Sequence, residues 1–209
     1  MAITYPLTAP SVLTDNIVSA SITGSNVVSI NESPFTFSQQ TYEFQGKRWE
    51  GSLTTAPLSV ADAQAVQAFL FELNGIRGTF TMDIGAAVGE PWRGYIATPG
   101  SITVDTGFNA GDQSISLAVG SSFVLRQGDW FTLTGATTGI PRLHKALNVP
   151  IASPYDLNIW PGLRDDPDDE TLTMTDEGKG IFRLASNDIR WSKGVNNLTS
   201  LSFDFVEAL

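Results

Sequence analysis

Apolar and polar residues alternate with a period of two along most of the chain, a pattern typical of strands that bury one face and expose the other. In one clear example Trp49 and Leu53 alternate with Glu50, Ser52 and Thr54. The same alternation predicts further strands around Phe35/Phe37, Phe80/Met82/Ile84, Ile115/Leu117/Val119, Phe131/Leu133, Leu172/Met174 and Leu201/Phe203/Phe205. The pattern therefore predicts a mainly β protein.

One segment, Ser59 to Leu73, has a helical period instead. Ser59 is a suitable N-cap, and Asn74–Gly75 can end the helix in a left-handed conformation. The apolar residues are spaced by three and four, so they share one face: Ala63, Val66, Leu70 and Leu73. We expect this helix to pack on the sheet formed by the flanking strands.

Turn residues divide the chain into three segments. One boundary is predicted near Pro99–Gly100 and another at the acidic run Asp165–Glu170. Between them, Gly111–Asp112 and Gly128–Asp129 predict tight turns within a compact unit of about five short strands. The outer segments carry nine of the ten excess negative charges. We therefore predict an acidic framework domain, residues 1–97 plus 166–209, interrupted by a nearly neutral inserted barrel, residues 98–165.

Charge and composition exclude several classes of function. With 12 Lys and Arg against 22 Asp and Glu, the net charge is −10, which repels nucleic acid and anionic membranes. No stretch approaches the roughly 20 apolar residues of a membrane-spanning helix, and the first basic residue is Lys47, which argues against a secretory signal. The chain has no cysteine and a single histidine, His144. No cofactor is expected, and only an all-oxygen calcium or magnesium site stays open.

Two features suggest chemistry but have simpler explanations. The acidic run lacks the spaced ligands and central glycine of a calcium loop, so a solvated turn is the favoured interpretation. His144 could act as a general base, but no Gly-x-Ser-x-Gly motif supplies a nucleophile for it.

Two alternatives concern sugars. Glu43 and Glu50 on neighbouring strands could form the carboxylate pair of a glycoside hydrolase. An aromatic platform could instead bind sugars, as in carbohydrate-binding β modules. Its candidate residues, which equally fit strand ends and subunit interfaces, are Trp92, Tyr95, Trp130 and Trp160.

A series of short motifs resembles the distal tail proteins, minor tail proteins of long-tailed bacteriophages. From about residue 45 onward they are Arg48–Trp49, Thr55–Ala–Pro–Leu58, Phe69–Leu–Phe–Glu–Leu73, Gly75–Ile–Arg–Gly–Thr–Phe80, Pro91–Trp–Arg–Gly94, Gly128–Asp–Trp130, Ile159–Trp–Pro–Gly–Leu–Arg164, Gly180–Ile–Phe–Arg–Leu184 and Ser202–Phe–Asp–Phe–Val–Glu–Ala–Leu209. The first 30 or so residues show no such match.

The resemblance implies a structural virion protein without enzymatic activity. It implies a β-sandwich framework with one helix and an OB-like barrel insertion, assembled as a homohexameric ring at the tail tip. Its partners would be copies of itself, the tail tube protein, the baseplate hub and possibly fibres, after synthesis in the bacterial cytoplasm. Because Trp and Arg are common interface anchors, Trp49, Arg77, Trp92 and Arg93 are the candidate subunit contacts.

Overall fold

The structure is a computed structural model that describes residues 3–98, 100–151, 154–194 and 197–209, without the side chain of Gln45. The first half of the chain forms β1 (Leu7–Thr8), α1 (Ser11–Thr14), β2 (Ile17–Glu32), β3 (Gln39–Thr55), α2 (Val60–Glu72), a 3-10 turn (Gly75–Arg77), β4 (Phe80–Asp83), α3 (Ile84–Ala87) and β5 (Tyr95–Ile96). The second half forms β6 (Ile102–Val104), β7 (Ser114–Val119), β8 (Phe123–Val124), β9 (Trp130–Gly135), β10 (Pro141–Ala146), β11 (Tyr155–Trp160), β12 (Leu172–Thr175), β13 (Lys179–Leu184), β14 (Arg190–Lys193) and β15 (Thr199–Glu207). The predicted mainly β fold, with a helix on the framework and a small inserted barrel, is confirmed.

The framework is one sheet that joins the two ends of the chain. Within the described ranges it has seven strands in the order β1-β4-β13-β15-β3-β2, with β14 on β15. Antiparallel pairing of β13 with β4, and of β15 with β3, brings the C-terminal strands onto the N-terminal block, which is the pairing that a discontinuous framework domain requires. Alternate residues of β15 are buried, so one face of the sheet points into the core: Leu201, Phe203, Phe205 and Glu207.

That buried face is covered by α2. The Ser59 hydroxyl accepts a hydrogen bond from the Asp62 amide at 3.3 Å and so caps the helix as predicted. Phe69 of α2 packs edge to face on Phe80 of β4, with 5.8 Å between ring centroids. Asn74, at φ 55°, is the left-handed residue that ends the helical segment. Ile84 departs from the sequence prediction, because it begins α3 instead of continuing β4.

The inserted unit is a closed barrel whose strands, within the described residues, follow the order β10-β11-β7-β6-β12-β9. Its own core includes the inward residues of the predicted alternating strands, among them Ile115, Leu117, Phe131 and Leu133. Gly111 and Gly128 have φ values of 101° and 88°, as the predicted turns require.

The C-terminal boundary of the barrel differs from the prediction. Leu172–Thr175, which the sequence places in the framework, pairs with β9 and β6 inside the barrel. The acidic run does not end the barrel. Its last residue, Glu170, accepts hydrogen bonds from the Thr137 and Thr138 amides. These bonds hold the end of the acidic run against the connection between β9 and β10 of the barrel. The N-terminal boundary prediction falls partly on Pro99, outside the described residues.

Candidate functional site: an apolar arm and the junction at its base

The most distinctive surface feature is a long β-hairpin that extends beyond the framework sheet. Strands β2 and β3 pair from Ile17 to Glu32, whereas the β15 partners of β3 lie between Glu50 and Thr54. Residues 24–48 therefore form a two-stranded ribbon, here called the arm. At its end the Ser33 amide donates to the Ser38 carbonyl and the Phe37 amide donates to the Ser33 carbonyl. Phe37 has a φ of 54° there. This positive value is uncommon outside glycine and bulky residues rarely adopt it.

The arm exposes large apolar side chains on both faces and at its tip. Phe35 is 92% and Phe37 is 74% exposed, whereas the alternating pattern predicts that they bury one face of a strand. That prediction is wrong, because both residues lie in the connection between β2 and β3. The other exposed apolar residues of the arm are Val27, Val28, Ile30, Tyr42 and Phe44. Only one charged residue, Glu32, lies between residues 27 and 42.

The base of the arm lies against the barrel through Trp160, the last residue of β11. The indole N–H of Trp160 donates to the Asn26 side-chain oxygen at 2.9 Å. A Cβ placed on Gly24 would lie 2.6 Å from the Trp160 ring, so only glycine permits this close approach. Trp160 in turn packs on Trp49, with 4.2 Å between ring centroids, and Trp49 packs on Trp130 at 4.7 Å.

A buried ion pair lies beside these tryptophans. Arg164, in the loop after β11, donates to Glu207 at 2.8 Å and to the Lys47 carbonyl at 2.6 Å. The Trp49 amide also donates to Glu207, at 3.1 Å. The Glu207 side chain is only 3% exposed. Burial raises the pKa of the Glu207 carboxyl, and this effect outweighs the lowering by Arg164 and Arg142.

A cleft of about 480 Å³ opens next to this junction, where the arm separates from the barrel. Lys47 lies in its wall and pairs with Glu43 at 2.5 Å; the hydrogen bond from Lys47 lowers the pKa of Glu43. The remaining lining residues are Phe44, Ala110, Gly111, Gln113, Arg142, Gly162, Leu163, Arg164 and Leu209.

The four candidate contact residues do not form one surface. Trp49 is 5% exposed, and its indole donates to the Leu143 carbonyl at 3.2 Å, so it joins the framework to the barrel of its own chain. Arg77 is exposed in the 3-10 turn. Trp92 is half-buried against the barrel core, and Arg93 pairs with the buried Asp129 at 3.0 Å.

The arrangements that enzyme chemistry would need are not formed at the predicted residues. His144 is fully buried, with its Nδ1 2.9 Å from the Pro161 carbonyl, and burial lowers its pKa to about 4. Glu43 and Glu50 lie on one strand, β3, seven residues apart, instead of on neighbouring strands. A separation of roughly 20 Å along a strand exceeds the spacing of a glycosidase pair.

The predicted aromatic platform is also not assembled. Trp130 is 1% exposed, Trp160 packs on the arm at Gly24 and Asn26, and Tyr95 is exposed. Within the described residues no group of three or more His, Asp or Glu is placed to hold a metal ion, the acidic run included. In the same part of the chain, no helix is long and apolar enough to cross a membrane.

No protein-family model matches this sequence, and no curated protein matches it significantly.

Proposed function

We propose that this protein is a ring-forming structural subunit of a bacteriophage tail tip. In this role, as in the distal tail proteins it resembles, copies of the chain join the tail tube to the baseplate hub or fibres. The observation that carries the proposal is the arm, which presents apolar side chains that the described part of its own fold leaves exposed.

The arm has little to stabilise it within its own ribbon. A two-stranded ribbon is marginally stable in water by itself, and its unpaired edges invite pairing with another chain. Val28 and Ile30 share one face, since both lie at alternate positions of β2, and Tyr42 packs on Phe44 with 4.7 Å between ring centroids. Apolar surface of this extent usually marks a protein interaction site.

The ring, in preference to a two-fold dimer, follows from the resemblance to the distal tail proteins. In such a ring the arm, a projection at one side of the framework sheet, would contact a different surface on the next subunit. Contacts of this head-to-tail kind form rings when the rotation closes. Charge is consistent with a ring around DNA, because an acidic channel wall would not hold the passing nucleic acid. A neutral or basic lumen in an assembled ring would contradict this part of the proposal.

The test is the assembly state of the purified chain and of an arm variant. We expect a multimer of defined mass by light scattering, and a ring in negative-stain images. Phe35→Ser with Phe37→Ser should shift the mass toward the monomer with unchanged circular dichroism, because it removes only exposed apolar surface. Phe71→Ser, which changes an exposed phenylalanine on α2, is the matched control and should assemble as the parent does.

The proposal fails if the parent chain stays monomeric at the highest attainable concentration. It also fails if the parent assembles and the arm variant assembles equally well, since the arm would then not be the contact element.

A further inference from the structure

We propose that the barrel serves as a clamp that fixes the direction of the arm, with Trp160 and Arg164 as its positioning residues. The inference concerns the geometry within one chain, so it can fail while the ring proposal holds, and the reverse.

The clamp holds both strands of the arm. On β2, Trp160 covers Gly24 and donates its indole N–H to Asn26. On β3, the Arg164 guanidinium donates to the Lys47 carbonyl at 2.6 Å. All of these contacts lie at the base, and the side-chain hydrogen bonds found in the described part of residues 28–42 stay within the arm.

The clamping side chains are themselves fixed. Trp160 cannot rotate away freely, because its ring packs on Trp49 at 4.2 Å and its N–H is hydrogen-bonded. Arg164 is 12% exposed and is anchored by Glu207 of β15 at 2.8 Å. The direction of the arm is therefore set by contacts with the barrel and the sheet at its base, and not by the ribbon beyond them.

Gly24→Ala is the sharpest perturbation of the clamp. The added Cβ would lie 2.6 Å from the Trp160 ring, whereas carbon atoms in ordinary contact are at least 3.4 Å apart. The base of the arm and the Trp160 ring must therefore separate by roughly 1 Å. The arm extends roughly 33 Å from Gly24 to its tip, and the clamp contacts at Gly24 and Asn26 are roughly 7 Å apart. With Asn26 as the pivot, the tip lies roughly 26 Å beyond it, so a 1 Å displacement at Gly24 becomes a shift of roughly 4 Å at the tip.

Distances between spin labels measure this shift directly, because the chain has no cysteine and introduced thiols are unique. One labelled pair, Thr36→Cys with Thr137→Cys, reports the distance from the arm tip to the barrel. A second pair, Gln64→Cys with Thr137→Cys, reports the distance from α2 to the barrel. Labelled chains are diluted with unlabelled chains so that only distances within one chain are read.

The matched control is Gly46→Ala, the same change on the other strand of the arm. Its Cβ would meet Val27 of the arm at 3.3 Å and does not contact the barrel. We expect Gly24→Ala to shift or broaden the distribution of tip-to-barrel distances, whereas Gly46→Ala should leave this distribution narrow. The α2-to-barrel distance should be unchanged in both variants.

Two results would overturn the inference. If the two variants have the same narrow distribution of tip-to-barrel distances, the contact at the base does not orient the arm. A change in the α2-to-barrel distance would mean that the barrel moves as a body. If Gly24→Ala does not fold, Asn26→Ala removes the exposed half of the clamp and must broaden the tip-to-barrel distance.

Discussion

Replacing Arg164 with methionine is expected to destabilise the protein at neutral pH, because the change leaves the carboxylate of Glu207 buried without its cation. The two groups are 2.8 Å apart, with side chains 12% and 3% exposed, so solvent screens the pair little. Arg164 also donates to the Lys47 carbonyl, and that acceptor loses its partner as well.

The magnitude follows from the surroundings of Glu207. Removing one member of a buried ion pair typically costs about 3–5 kcal/mol in the free energy of unfolding. The Trp49 amide can still donate to Glu207 in the variant, and this hydrogen bond partly stabilises the buried carboxylate. We therefore expect a loss near the lower end, about 3 kcal/mol at pH 7.

The same loss should depend on pH with a definite sign. Because burial raises the pKa of Glu207 above its ordinary value, protonation of this group favours the folded state, and that contribution is lost as pH rises through the folded pKa. Without the Arg164 charge the pKa of Glu207 rises further. The stability difference between parent and variant should therefore be largest at neutral pH and shrink as the carboxyl becomes neutral in acid.

Urea denaturation of both proteins, followed by tryptophan fluorescence at several pH values, measures this difference. Glu207→Gln is the control: it keeps an acceptor for the Trp49 amide without a charge, and adding Arg164→Met to it should cost less than in the parent. A loss below about 1 kcal/mol at pH 7, the range of an exposed pair, would refute the reasoning. So would a loss that does not change with pH.

Two further predictions concern buried positions. The resonances of His144, the single histidine, should keep their neutral shifts from about pH 8 to 5 by NMR, because burial lowers its pKa to about 4; its contribution to stability is then lost as pH falls from 6.5 toward 4, and a midpoint near 6.5 would contradict this. Gly51→Ala should cost about 1–3 kcal/mol by urea denaturation, because its Cβ would overlap Phe205 and the Ser21 carbonyl. Gly46→Ala, which meets only Val27, is its control, and equal losses for the two would show that the Gly51 contact is relieved without cost.

Features encoded by nearby residues were predictable from the sequence. The cap, the apolar stripe and the left-handed end of α2 all lie within 17 residues, and each is found where the pattern places it. The strands of the barrel and the C-terminal strand follow from alternation in the same way. The strand prediction for Ile84 is wrong because the Asp83 side chain accepts a hydrogen bond from the Ala86 amide and so caps a helix that begins at Ile84.

The arm was not predictable, since alternation reports that one face is apolar but not what covers it. Phe35 and Phe37 have the pattern of a core strand and yet lie in a connection. Trp49 shows the opposite error: its residue type suits an interface, but its partners, Leu143 and Glu207, are 94 and 158 residues away in sequence. Contacts at such separations leave no local signal.

The ion pair between Arg164 and Glu207 is better explained by a role in orienting the arm than by a contribution to the stability of the fold. A well-packed apolar pair in place of Arg164 and Glu207 would often be at least as stable, because it avoids the cost of burying two charges. An apolar contact, however, is non-directional and tolerates sliding. The Arg164 guanidinium has fixed donor directions, and it meets the arm backbone at Lys47 and the sheet at Glu207 together. Both bonds come from the same nitrogen, Nη2, so a shift of the arm base relative to the sheet would strain at least one of them. In the proposed clamp, the buried charge therefore aims an apolar ribbon that the described part of the fold leaves exposed.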